Sequence, residues 1–182
     1  LLNHKNIDVN IRSLKYDEDF DECTSEFYRE VTPLYQASGF CKNPKIVQLL
    51  VNHKNVDLNA IINTREEQYY TSTGKRFEPS YIEETAFYAA VDKGKTENVR
   101  ILLNKENIDI NFKSKIYRNN KLDKLFSVLE RAVYRRNLDV LRLLLDDKRI
   151  DANEKITFGQ LNINDVWDEE EIKKIKLEHK QE

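Results

Sequence analysis

The sequence predicts an all-α repeat solenoid: short helix–turn–helix units stacked side by side, with extended hairpin or finger loops between them and a C-terminal capping helix. Three observations predict it. Asn3-His4-Lys5-Asn6-Ile7-Asp8-Val9-Asn10 recurs as Asn52-His53-Lys54-Asn55-Val56-Asp57-Leu58-Asn59, with six of eight residues identical. An apolar run precedes each copy, as in Leu49-Leu50-Val51 and Ile101-Leu102-Leu103. A hydroxyl residue opens each unit about twenty residues upstream, in Thr32-Pro33-Leu34-Tyr35-Gln36-Ala37, Thr85-Ala86-Phe87-Tyr88-Ala89-Ala90 and Ser127-Val128-Leu129-Glu130-Arg131-Ala132. Internal similarity at a fixed period is the mark of a repeat architecture.

The first helix of each unit follows from its opening residues. Thr32, Thr85 and Ser127 are N-cap residues that satisfy free N–H groups of the first turn. Pro33 suits the first helical position, where no N–H is needed. Leu34/Ala37, Phe87/Ala90 and Leu129/Ala132 share a face at i,i+3, and the alanines allow close helix approach. The second helices, over Lys45–His53, Glu97–Lys105 and Asp139–Lys148, carry Val47/Leu50/Val51, Val99/Leu102/Leu103 and Leu141/Leu144/Leu145 at helical spacing. Two short helices cannot bury these faces alone, whereas stacked pairs share one core. A third copy of the closing motif reads Asn104–Asn111, and a worn fourth reads Asp146–Asn153.

These motifs resemble the ankyrin repeat: Thr32-Pro33-Leu34-Tyr35, Gly94, Val99-x-Ile101-Leu102-Leu103 and Asp109-Ile110-Asn111 carry the match. Tyr35, Tyr88 and Glu130 stand where the family has His, so its side-chain hydrogen bonds are lost or rebuilt. Only Gly94 survives of the inter-helix glycines; Asn43 and Asn137 are the expected left-handed stand-ins. The resemblance divides the chain into an array over 1–163 and a C-terminal helix over 164–182. The array holds a half repeat at 1–11 and repeats at about 32–59, 85–111 and 127–153. Because the sequence starts at Leu1 and holds no Met, it reads as a piece of a longer protein.

Successive Asp-x-Asn motifs lie 49, 52 and 42 residues apart, against about 33 for a standard unit. The excess falls between each motif and the next helix start, as finger insertions at 11–31, 60–84 and 112–126. The first is acidic, and Phe20, Phe27 and Tyr28 suggest a short packed helix in it. The second holds Tyr69-Tyr70 and a Thr73-Gly74-Lys75 turn. The third is basic. Per-repeat insertions project from one face, often the binding face.

Composition excludes several classes. Apolar residues make up 40% and charged residues 34%, too apolar for disorder, and no run approaches the roughly 20 residues of a membrane span. Cys23 and Cys41 lack metal-ligand spacing, and free thiols without sequons point to a cytoplasmic or otherwise intracellular setting. His4 and His53 occupy one repeat position, which a turn role explains without a metal. Asp17–Glu22 lacks the spacing of a calcium loop. No phosphate loop, dinucleotide fingerprint or nucleophile motif occurs, so no cofactor, metal or catalysis is expected.

The resemblance implies a monomeric protein-binding scaffold. Its register nominates the exposed inner-helix positions Gln36, Phe40, Asp92, Lys93, Arg131, Tyr134 and Arg135, to which we add the finger aromatics Tyr69 and Tyr70, since aromatics and Arg dominate interfaces. Phe40 and Tyr134 serve equally as packing residues. Alternatives are a regulatory or targeting region of a larger enzyme, and nucleic-acid binding through the basic zone 113–136. Leu2/Asn10 and Leu103/Asn111 also fit the family's pattern for Asn hydroxylation; the plainer role for that Asn is bonding the finger backbone.

Overall fold

Side-chain caps set where the helices begin. In a computed structural model of the protein, which describes residues 7–19, 23–70, 73 and 77–150, Thr32, Thr85 and Ser127 accept from the backbone N–H of Tyr35, Tyr88 and Glu130. Elements run β1 (Ser13–Asp19), β2 (Cys23–Val31), α1 (Pro33–Phe40), α2 (Pro44–Val51), β3 (Ile62–Tyr70), β4 (Ser80–Glu84), α3 (Ala86–Asp92), α4 (Thr96–Leu103), β5 (Ser114–Arg118), β6 (Lys121–Phe126), α5 (Val128–Tyr134) and α6 (Leu138–Leu145). The expected C-terminal helix over 164–182 lies outside the described residues.

Inner helices α1, α3 and α5 pack in one row, and α2, α4 and α6 in a second. Leu34, Phe87, Leu129, Val47, Val99, Leu141, Leu102 and Leu144 fill the space between them. Small residues set the approach: a Cβ at Gly39 would lie 3.2 Å from the Cβ of Ala89. Asn98, buried on α4, donates to Ser38 O at 2.8 Å, satisfying a carbonyl at the end of α1.

The Asp-x-Asn motif stitches one unit to the next. Asp8, Asp57 and Asp109 accept from the N–H of Asn10, Asn59 and Asn111, fixing each Asn in its turn. Asn10 then donates to Asn55 O and accepts from Asp57 N; Asn59 donates to Asn107 O and accepts from Asp109 N; Asn111 donates to Arg149 O. Each Asn therefore bonds the closing turn of the following repeat, and Asn59 and Asn111 are exposed rather than buried.

The turns between helices differ from the sequence expectation. Gly94 has φ +62, but Asn43 (φ −98) and Asn137 (φ −95) are not left-handed; they cap α2 and α6, accepting from Lys45 N and Val140 N. The left-handed position in the third unit belongs to Arg136 (φ 54). A Cβ at Gly94 would meet Asn137 Nδ2 at 2.5 Å. Gly94→Ala is expected to cost about 1–2 kcal/mol, while Arg136→Gly should gain about 0.5 kcal/mol. Urea unfolding of the two variants checks both signs.

The all-α expectation is wrong. The fingers are strands, joined into a six-stranded antiparallel sheet in the order β1-β2-β3-β4-β5-β6. The short helix expected around Phe27 and Tyr28 is strand β2, paired with β1 and β3; Phe20 lies outside the described residues. Spacing explains the fusion. Packed helices lie about 8–10 Å apart, and a hairpin occupies two strand spacings, also about 9.6 Å. Hairpins carried by successive helix pairs thus meet edge to edge, β2 on β3 and β4 on β5. Asn119 (φ 51) and Asn120 (φ 56) make the two-residue connection from β5 to β6, where both central residues need positive φ. Of the expected Thr73-Gly74-Lys75 turn, only Thr73 is described.

Candidate functional site

The site grows from residues that tie each inner helix to the sheet. Tyr35, early in α1, donates its hydroxyl to Glu84 Oε2 at the end of β4, at 2.5 Å. Tyr88 of α3 is 2% exposed, and burial raises its hydroxyl above the ordinary range. The Tyr35 bond reaches the next finger, so the side-chain bonding expected to be lost or rebuilt is rebuilt at this position as a helix-to-sheet tether. In the third unit Glu130 closes a capping box with Ser127 instead. Burial first, then Glu84, pushes the Tyr35 hydroxyl up from its ordinary range. Burial likewise raises Glu84, against the opposing Tyr35 bond.

Where the sheet meets the inner helices lies a groove of about 620 Å³. Lys15, Arg29, Thr64, Glu66, Ile82 and Glu84 line its sheet wall; Gln36, Phe40, Asp92, Lys93, Arg131 and Arg135 are among those lining its helix wall. Asp92 is the electrostatic centre. Its side chain is 5% exposed and pairs with Arg131, with Arg135 at 2.9 Å and with Lys93 at 3.0 Å. Burial alone would raise its carboxyl, but the Arg135 hydrogen bond and the charges of Arg131 and Lys93 reverse this and push it down to about 2. Phe40, 38% exposed, sits between Arg29 and Lys93, whose charges lie 5.5 and 5.7 Å from its ring centre.

The structure brings six of the nominated residues, Gln36, Phe40, Asp92, Lys93, Arg131 and Arg135, to this groove. Asp92, however, is not an exposed contact position; it is the buried counter-ion for its neighbours. Tyr134 is 41% exposed and lies under the guanidinium groups of Arg131 and Arg135 rather than in the groove wall. Tyr69 and Tyr70 end β3, opposite Thr24 and Cys23, several residues beyond the groove's Thr64 and Glu66. Their side chains lie outside what the structure describes.

Sequence reasoning missed the whole sheet wall. The available signal was period two: Thr64/Glu66 and Ile82/Glu84 fall on one face of extended chain. In the basic zone, Lys115 pairs with Glu83 at 2.8 Å and Arg118 with Asp123 at 3.5 Å, while Arg131 and Arg135 share Asp92. Among the described residues no helix is long and apolar enough to cross a membrane, and no group of His, Cys, Asp and Glu is arranged to hold a metal ion.

No curated protein matches the chain. A family model does: the one described as ankyrin repeats in three copies covers residues 1–156. With capped helix pairs, the Asp-x-Asn stitching and hairpins all recurring at the positions that match covers, the chain belongs to the ankyrin repeat family.

Proposed function

We propose that this chain is a protein-binding module whose partner seats in the corner groove between the inner helices and the sheet. Ankyrin repeats generally mediate protein–protein interaction. The observation that carries the reading is the groove itself: a concavity of about 620 Å³ at which an exposed aromatic, Phe40, stands among cationic side chains. Aromatic and Arg side chains in a recess are the usual anchors of an interface, and a rigid wall of paired strands lowers the ordering cost of binding. Nucleic acid is the weaker reading, because Lys115, Arg118, Arg131 and Arg135 already face carboxylates.

A photo-crosslinking amino acid placed at Gln36, in the groove, is compared with one at Gln48, exposed on α2. A partner should cross-link from position 36 and not from 48. Equal capture from both, or capture from 48 alone, removes the groove from consideration. A salt-sensitive mobility shift with an oligonucleotide, coupled to loss of protein cross-linking, would favour nucleic acid instead.

A further inference from the structure

We propose that the open edge of β6 takes up an extended segment of another protein as a seventh strand, antiparallel to β6 and alternating apolar with acidic residues. This edge lies outside the groove: no residue of Lys121–Phe126 lines it.

β6 ends the sheet. β5 pairs with one side of it, and among the described residues no strand pairs with the other. Such an edge offers a row of main-chain donors and acceptors that an incoming strand can complete. The fold already makes this kind of contact twice. At both junctions between fingers, the third residue before a helix cap lies opposite the fifth after an Asp-x-Asn asparagine: Arg29 opposite Thr64, and Ile82 opposite Ile116. In the third finger the position before the cap is Lys124, on the open edge.

A bulge sorts the side chains of this edge by chemistry. Ile116 lies opposite Lys124, but Tyr117 lies opposite Leu122, so Asp123 is the extra residue. Arg118 holds the Asp123 carboxylate at 3.5 Å. Lys121 and Lys124 therefore share the helix-facing side with Ile116, while Leu122 and Leu125 share the opposite side. Without the bulge the two leucines would point to opposite faces. Both stand open to solvent, 51% and 44% exposed. Leu122 also prolongs the pair Tyr81 and Tyr117 across the back of the sheet. Neither lysine side chain meets a carboxylate among the described residues.

These features define the occupant. Side chains directly opposite one another share a face, so the incoming strand sets apolar residues against Leu125 and Leu122 and acids against Lys124 and Lys121. With Asp123 unopposed, that is strict alternation. A second copy of this chain does not fit. The register of the two junctions would set its Lys15, the fifth residue after Asn10, against Lys124, and like charges directly opposite destabilise a pair. Lysines and a bulge discourage indiscriminate pairing at an edge; here they leave an acidic strand as the favoured one.

The test uses the full 182-residue chain and a fluorescein-labelled octapeptide alternating Val and Glu, read by fluorescence anisotropy. It should bind about tenfold more tightly than the Val/Lys octapeptide or an isomer with the same residues in two blocks. N-methylation of one alternate set of its amides should abolish binding, and of the other set should leave it nearly intact, because only one edge of the peptide pairs with β6. Lys121→Glu/Lys124→Glu, at two exposed positions, should invert the preference towards the Val/Lys peptide. If its melting curve departs from that of the parent, Lys121→Gln/Lys124→Gln replaces it and should erase the preference. In hydrogen exchange, β6 amides should gain protection when the peptide binds. Equal binding of the block isomer, equal loss from both methylated forms, or an unchanged preference in the charge variant overturns the inference. So does full protection of the β6 amides before peptide is added, which would mean an edge already covered. So does displacement of the peptide by a single-stranded oligonucleotide. The charge variant should leave the cross-link from position 36 unchanged; its loss there would mean one surface rather than two and would overturn the edge site, whereas absence of that cross-link in the parent chain sinks the groove reading alone.

Discussion

Asp92→Ala is expected to destabilise the fold by about 3 kcal/mol, because it strands Arg131 in a partly buried position with no counter-ion. Arg131 carries most of the effect, its side chain being only 20% exposed, whereas Lys93 and Arg135, at 42% and 41%, can turn to water. Adding Arg131→Met to Asp92→Leu should recover much of the loss, since replacing both partners of a buried pair by apolar groups is often neutral. Urea denaturation with an unchanged slope is the measurement. A cost under about 0.5 kcal/mol for the single variant would mean the cluster is solvated and structurally idle. The pH dependence carries the same information with a definite sign. Asp92 titrates in the folded state at about 2, below its ordinary 3.8, so its contribution is complete above 3.8 and is lost as pH falls towards 2. Glu84 is raised above its ordinary 4.5, so its folded form holds a proton that the unfolded chain has released. Its contribution is complete below 4.5 and declines as pH rises through that value towards the folded one. The joint contribution of these two groups should therefore be greatest between 3.8 and 4.5. Asp92→Ala flattens the acid limb, and Glu84→Gln removes the decline above it.

The helices were legible in the sequence because each is specified locally. A hydroxyl cap, an i,i+3 pair and an apolar triplet recur within about twenty residues, and all three first helices start where those caps place them. The sheet was not legible, because no single finger specifies it. Ser13–Val31 read by itself is a charged segment with aromatics, as compatible with a short helix as with a hairpin. What makes it β is the open edge of the next hairpin, set two strand spacings away by the stacking of helices. That is a property of the distance between repeats, not of any one repeat. The same cause divides the groove. Gln36, Phe40, Lys93 and Arg135 could be named from helix register alone, whereas Lys15, Arg29, Thr64 and Ile82 become neighbours only once strand pairing fixes their row. Arg136 is a smaller instance: an asparagine beside it suggested the left-handed residue, but Asn137 was needed as the cap of α6, and the strained conformation moved one residue back.

If the sheet exists only because hairpins carried by different repeats complete one another, a break at their junction should open the sheet and leave the helices standing. Tyr81→Pro places that break. Tyr81 pairs with Arg65 on one side and Tyr117 on the other, so it lies where the second finger meets the third. Its side chain alternates with Ile82, putting it on the face away from the groove, and no groove-lining side chain is altered. Proline removes a ladder N–H and sets its ring against a neighbouring strand, at a cost on the order of 3 kcal/mol. Tyr81→Thr, which keeps the backbone and strand preference, separates loss of the ring from loss of pairing. In hydrogen exchange, amides of β4, β5 and β6 should lose protection in the proline variant, while α3 and α4, held by the buried Phe87, Val99 and Leu102, keep theirs. Uniform loss across helices and strands would show that sheet and stack unfold as one unit. Retained protection in β5 would show that the third hairpin stands without its neighbour. The result also bears on binding. The groove needs both walls, and only the strand pairing holds Lys15 and Arg29 in line with Thr64 and Ile82. A variant with intact helices and a parted sheet should therefore lose the cross-link from position 36 to its partner even though every groove-lining side chain is still present.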